Sequence, residues 1–207
     1  MSIVIIDYGM GNLRSVQKAF EVTGARAQVT DRPSDIRKAD KIVFPGVGAF
    51  GAAMRELKRR KLIRPIKEAI GAGKHFLGLC LGMQLLFETS EEAPGVKGLG
   101  VLKGRVRRFN FKSRRLKVPH MGWNNIAYSL PLTAHSILRG VPDGSYVYFV
   151  HSYYVEPKER DIVLATTDYG GRFVSGICRD NIYGLQFHPE KSQEVGLRIV
   201  KNFAGLR

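Results

Sequence analysis

The chain has 207 residues, 44% of them hydrophobic and 25% charged, with two cysteines and a formal net charge of +15. A chain of this length can bury a full core without disulfide or metal staples, and no linker or repeat divides it, so one domain over residues 1–207 is expected. The apolar opening Ile3 to Ile6 is broken at Asp7, too short for a signal-peptide core, and no apolar run reaches membrane-spanning length. A cytoplasmic chain without a membrane role is expected, with thiols that stay reduced.

Short apolar runs predict strands at Ile3 to Ile6, Ala27 to Thr30 and Lys41 to Phe44. Helices are expected from Asn12 to Thr23 and between Gly51 and Ala72. A strand over His75 to Leu79 then leads to a helix favoured by Met83 to Glu88. The second half is richer in strands, at about Gly104 to Phe109, Tyr146 to Val155, Ile162 to Thr166, Arg172 to Cys178 and Ile182 to Phe187, before a helix from Gln193 to Phe203. Alternating strands and helices predict an α/β fold: an open, mostly parallel central sheet with flanking helices and some antiparallel strands in the second half.

Gly78-Leu79-Cys80-Leu81-Gly82 places a cysteine between glycines where an apolar strand gives way to a helix. Such glycines permit a sharp, strained turn that presents a nucleophile, and the helix start favours a thiolate. His188-Pro189-Glu190 follows the last predicted strand. In an extended segment positions i and i+2 share a side, so Glu190 can orient the His188 ring while Pro189 points away. Cysteine, histidine and glutamate together allow acyl transfer through a thioester: His188 takes the thiol proton and later protonates the leaving nitrogen. Donors for the oxyanion are expected from the glycine loop Gly46-Val47-Gly48 and from the amide of Leu81, next to the nucleophile. Cys178, without elbow glycines on both sides, reads as a buried structural thiol.

Pro45-Gly46-Val47-Gly48, Gly78 to Gln84 and His188-Pro189-Glu190 together resemble the class I (triad) glutamine amidotransferases over essentially the whole chain. Ile5 to Asn12, Pro119 to Asn124 and His188 to Ser192 narrow the resemblance to the glutaminase subunits of imidazole glycerol phosphate synthase, of histidine biosynthesis. The resemblance implies hydrolysis of L-glutamine to glutamate and ammonia, without cofactor or metal. It also implies a heterodimer with a separate cyclase subunit that uses the ammonia. It implies Cys80 as nucleophile, His188 as base and acid, Glu190 as its orienter, and Gly48 with Leu81 framing the oxyanion. Gln84 and the Ser152-Tyr153 pair match positions that hold the substrate glutamine. Tyr148 and Lys191 match positions near the subunit contact, and Trp123, the lone tryptophan, is a candidate interface anchor. His151 is expected to be structural rather than a second base.

Basic residues cluster in Arg55 to Lys67 and Arg105 to Lys117. Both runs are read first as solvated faces, then as surfaces for an acidic protein, and only last as nucleic-acid contacts. Two other functional readings stand beside the first: the glutaminase of another synthase, such as pyridoxal phosphate synthase, and a basic binding module on an amidotransferase fold. Pro119 to Asn124 argues against the former, and a complete triad against the latter.

Overall fold

The computed structural model describes residues 1–111, 116–129 and 137–207. Its elements in chain order are β1 (Ile3–Ile6), α1 (Leu13–Val22), β2 (Ala27–Thr30), α2 (Pro33–Lys38), β3 (Lys41–Gly46), α3 (Phe50–Arg59), α4 (Ile63–Gly71), β4 (His75–Cys80) and α5 (Leu81–Gln84). There follow β5 (Thr89–Ser90), β6 (Gly104–Arg108), β7 (His120–Asn125), β8 (Ala127–Tyr128), β9 (Tyr146–His151), β10 (Tyr153–Pro157), β11 (Val163–Asp168), β12 (Arg172–Arg179), β13 (Ile182–Leu185) and α6 (Gln193–Gly205).

The main sheet runs in the order β2-β1-β3-β4-β13-β12-β10-β6-β5, with β11 and β8 joined at β12. From β2 to β13 every pair is parallel, whereas the pairs of β12 with β13, of β10 with β12 and of β10 with β6 are antiparallel. The predicted mostly parallel sheet with antiparallel strands in the second half is therefore the observed one.

Side-chain alternation divides the core between the two faces of the sheet. Ile3 and Ile5 belong to one apolar cluster with Val43, Leu77, Leu79 and Phe203, while Val4 and Ile6 join Ile42, Phe44 and Phe76 in the other. Strands buried on both faces need apolar residues at every position, which is why β1 and β3 read as unbroken apolar runs. The helices bury one stripe each: Val16, Ala19 and Phe20 on α1, and Gly196, Ile199, Val200 and Phe203 on α6.

Several boundaries differ from the expectation. The run from Tyr146 to Val155 is two strands. β9 pairs with β7 in a separate ribbon, and after Ser152 the chain pairs with β6 as β10. Past the elbow only Leu81–Gln84 is helical, because the chain must turn at Leu85 to bring β5 against β6. The last strand stops at Leu185 rather than Phe187. Cys178, expected to be buried, is free and only partly buried against the core, and that burial raises its thiol pKa. In the second basic run Arg105 and Arg107 pair with Glu156, and Phe109 is buried among Phe111, Tyr154 and Phe173. Residues 112–115 of that run lie outside the described residues.

Candidate active site

β3, β4 and β13 are parallel neighbours, so their carboxyl ends converge at one edge, the usual position of a site in an open α/β sheet. Each end delivers a different chemical part. β4 ends on Cys80, whose φ of 52° and ψ of −110° are strained for a residue with a side chain. That is the sharp strand-to-helix turn predicted from its flanking glycines. Gly82 is required by close approach, since a Cβ there would lie 1.7 Å from the Phe44 carbonyl oxygen. β3 ends on Gly46, paired in register with Cys80, and leads into Val47 and Gly48 before α3 begins. Gly48 has φ +91°, a conformation that side chains disfavour, so the second glycine of the loop is set by backbone geometry.

Beyond β13, His188 enters extended and Pro189–Lys191 form a 3₁₀ turn. The histidine and glutamate thus meet across a turn, not along an extended strand as their spacing predicts. His188 Nδ1 and Glu190 Oε1 are 2.8 Å apart, with side chains 4% and 3% exposed. The turn is clamped: the Ser192 hydroxyl donates to the His188 carbonyl at 2.7 Å and accepts from the Tyr148 amide at 3.0 Å, while the His188 amide donates to the Tyr148 carbonyl at 2.9 Å.

Glu190 can only accept from Nδ1–H, so the proton that His188 gains or loses is carried on Nε2, which is buried and has no hydrogen-bond partner among the described residues. The Cys80 Sγ makes its long contact, 3.9 Å, to the Val150 carbonyl instead. Burial works against charge on His188, but the neighbouring Cys80 and Glu190 side chains outweigh it and push the imidazole up to about 10. Catalytic contacts between a nucleophile and its base commonly tighten when substrate binds.

A cavity of about 420 Å³ opens here, lined by Val47, Gly48, Leu81, Gln84, Ser152 and Tyr153 together with Cys80 and His188. A larger groove of about 940 Å³ around Lys67, Arg105 and Lys158 contains neither cysteine nor histidine, so the chemistry belongs to the smaller one. Gly46 and Glu190 do not line this cavity; Glu190 is joined to it through the ring of His188. His151 also faces the cavity, yet both ring nitrogens are committed, Nδ1 to the Tyr153 carbonyl at 2.8 Å and Nε2 to His120 Nδ1 at 3.0 Å. Burial drives the pKa of His151 down to about 3 and that of His120 to about 4, so both are neutral where His188 is charged. Glu92, which no motif singles out, lines the cavity too; one of its oxygens accepts from the Phe50 amide at 2.7 Å at the start of α3. Its only signal in sequence is an acidic pair, Glu91-Glu92, shortly beyond the elbow. No cluster of His, Cys, Asp and Glu among the described residues could hold a metal.

Next to the cavity, β7 and β9 pair Trp123 with Tyr148. Trp123 is 47% exposed, its ring lies edge-on to Tyr148 at 6.1 Å, and the Lys191 Nζ sits 5.6 Å from the centre of the Tyr148 ring. Trp123 is thus a surface residue, and the three candidate interface residues form one patch.

Comparison with known proteins gives this geometry its family. Residues 4–205 match the family described as glutamine amidotransferase class-I. The HisH subunit of imidazole glycerol phosphate synthase from Syntrophotalea carbinolica is 52% identical, over 99% of this chain and all of that protein. The corresponding subunit from Moorella thermoacetica is 49% identical over 99% of this chain and 94% of that protein. Among solved structures, a glutamine amidotransferase superposes with a TM-score of 0.75 at 17% identity, covering 98% of this chain and 99% of that one. The structure of PurLQS from Thermotoga maritima gives 0.68 at 18% identity, covering 98% and 94%. With its matching profile, near-complete coverage and shared fold, the chain belongs to the class I glutamine amidotransferases, among the HisH subunits of imidazole glycerol phosphate synthase.

Proposed function

We propose that this chain is the glutaminase subunit of a cytoplasmic imidazole glycerol phosphate synthase, hydrolysing L-glutamine through a Cys80 thioester and passing ammonia to a separate cyclase subunit. The observation that carries this reading is that Cys80 and His188 line one cavity, with the buried Glu190 carboxylate 2.8 Å from the His188 ring. His188 takes the proton from Cys80, and Glu190 fixes the ring and stabilises the imidazolium. The thiolate attacks the carboxamide carbon, and the tetrahedral oxyanion is met by backbone N–H groups of the Val47–Gly48 loop and of Leu81. Imidazolium then protonates the departing nitrogen, ammonia leaves, and water hydrolyses the thioester with His188 again as base.

The amino-acid end of glutamine is held by Gln84, Glu92, Ser152 and Tyr153. Gln84 Nε2 is taken by the Tyr153 carbonyl and by Gln186, so its oxygen is the atom left to accept from substrate. Glu92 supplies negative charge for the α-ammonium. Trp123, Tyr148 and Lys191 form the surface on which the cyclase docks, closing the cavity so that ammonia is not lost to water. The Gly46-Val47-Gly48 loop is the switch, productive when the partner holds its own ligand.

A glutamine-mimicking electrophile, applied with and without the cyclase, tests the reading. Label is expected on Cys80 alone, faster in the complex, and Cys80→Ala should abolish glutamine hydrolysis while folding and docking persist. Label on another residue, or hydrolysis surviving Cys80→Ala, would remove the thioester mechanism.

A further inference from the structure

Cys80 has a neighbour in the sheet that no motif announces. β13 runs parallel to β4 and ends with Leu185 opposite Leu79; Gln186, the next residue, lies beside Cys80. Gln186 is fully buried, its backbone N–H bonds the Ser175 carbonyl at 2.9 Å, and its Nε2 lies 3.6 Å from the Cys80 Sγ. Its Oε1 lies 3.1 Å from Gln84 Nε2, which is also 2.9 Å from the Tyr153 carbonyl.

The direction of this chain of amides is dictated by its far end. A backbone carbonyl can only accept, so Gln84 must turn its NH₂ toward Tyr153. The same NH₂ then faces Gln186, which must answer with oxygen and so present its own N–H to sulfur. We propose that Gln186 is a positioning residue that holds the Cys80 sulfur with its side-chain N–H and orients Gln84 with its oxygen.

The two contacts of Sγ have opposite preferences. The Val150 carbonyl accepts from an S–H and favours the thiol, whereas the Gln186 N–H favours the thiolate. In a dry site a donor to a charged acceptor shifts an equilibrium by about tenfold or more. As the proton passes to His188, sulfur exchanges a partner suited to the thiol for one suited to the anion, with no movement of backbone. The same side chain fixes Gln84, so nucleophile and substrate share one support.

This inference rests on Cys80 being the nucleophile, and the two readings fail differently. The first fails if hydrolysis survives Cys80→Ala; this one fails on the thiol's own titration. Two variants separate the ends of the amide. Gln186→Glu keeps an oxygen for Gln84 but replaces the N–H that faces sulfur, and Gln186→Met removes both. The pH profile of iodoacetamide alkylation at Cys80, mapped by peptide mass spectrometry, should move up by about one unit or more in each. kcat should fall in both, whereas KM for glutamine should rise only in Gln186→Met. A purely structural role would lower the melting temperature and leave the alkylation profile in place. The unsubstituted chain gives a reading independent of variant folding: the side-chain Nε2–H resonance of Gln186 should titrate with the midpoint of Cys80 and lose that dependence in Cys80→Ala. An alkylation profile unchanged in the folded variants, or a resonance insensitive to the thiol, overturns the proposal.

Discussion

Replacing Gly82 by alanine tests whether the elbow is held by backbone contact. The added Cβ would fall 1.7 Å from the Phe44 carbonyl oxygen and 2.8 Å from its carbon, against a practical minimum of 3.0 Å. Relief requires a separation of about 1.3 Å between two backbone segments, neither of which ends in a flexible side chain. Overpacking costs about 1–3 kcal/mol, and a clash between backbones belongs at the top of that range. At about 2–4 °C per kcal/mol for a chain of this size, the melting temperature should fall by about 6–12 °C. Because Phe44 precedes the Gly46–Gly48 loop, the same displacement misplaces the proposed oxyanion donors, and a shift of about 1 Å can cost about a hundredfold in rate. Gly71 in α4 is the control: nothing lies within 4 Å of a Cβ there, so Gly71→Ala should stabilise the chain by about 0.5 kcal/mol. Thermal and urea melts followed by circular dichroism, with glutaminase rates of the complex, provide the assay. A Gly82→Ala chain that melts within about 2 °C of the parent and turns over at the parental rate would refute the reasoning.

Three further expectations follow from the site. Glu190→Gln removes one of the two partners that raise the His188 pKa, and kcat should fall by about 10²–10⁴-fold. The stabilising contribution of His188 is fully present below its ordinary value of 6.5 and is lost as pH rises through about 10. In Glu190→Gln that loss should come at lower pH, as read by urea melts from pH 6 to 10; superimposable pH profiles would count against the coupling. The Tyr8 hydroxyl is fully buried without a partner among the described residues, and burial raises its pKa, so Tyr8→Phe should leave stability unchanged or raise it by about 1 kcal/mol. A loss of stability would reveal a bonded hydroxyl. Trp123→Ala should weaken cyclase binding by about 2 kcal/mol, near thirtyfold in Kd by calorimetry, and an unchanged Kd would remove the anchor.

The sequence made the parallel half of the fold legible because its strands are buried on both faces and separated by helices with clear apolar stripes. β1 and β2 have the predicted bounds. It concealed α2, whose six residues bury only Ile36, although Pro33 at its start and Arg37 and Lys38 in its last turn suit a short helix. It concealed β7 for another reason. His120–Asn125 alternates polar and exposed residues with a single buried histidine, and becomes a strand only by pairing with β9. The end of β9 at His151 was equally invisible, since nothing in an aromatic, β-branched run marks where it changes partner. Cys80, His188 and Glu190 were legible because their motifs are local. Glu92 and Gln186 were not, because Glu92 reaches the cavity through a turn and Gln186 reaches the sulfur of Cys80 only once β13 is packed against β4.

Register is what unites the site. Gly46 pairs with Cys80 at the ends of β3 and β4, and Gln186, just past the end of β13, sets its side-chain amide against the Cys80 sulfur, although about 140 residues separate Gly46 from Gln186 along the chain. On either side of the nucleophile these neighbours provide the two things a thiolate enzyme needs: on one flank a loop with free backbone donors, on the other a side-chain amide. A slip of one residue in either pairing would turn the paired side chains to the opposite face and dissolve the arrangement without altering any motif. The His188 turn is fixed independently, through the Ser192 and Tyr148 clamps on β9. That strand also carries the Tyr148 ring against which Trp123 and Lys191 rest. The proposed base, carried just beyond β13 of the central sheet, is therefore hydrogen-bonded to the strand that bears the proposed docking patch. His188 is anchored on two sides, by β13 in the sheet and by Tyr148 of β9 in the ribbon, so a proposed partner pressing on Trp123 would bear on the placement of His188 Nε2 against the Cys80 sulfur.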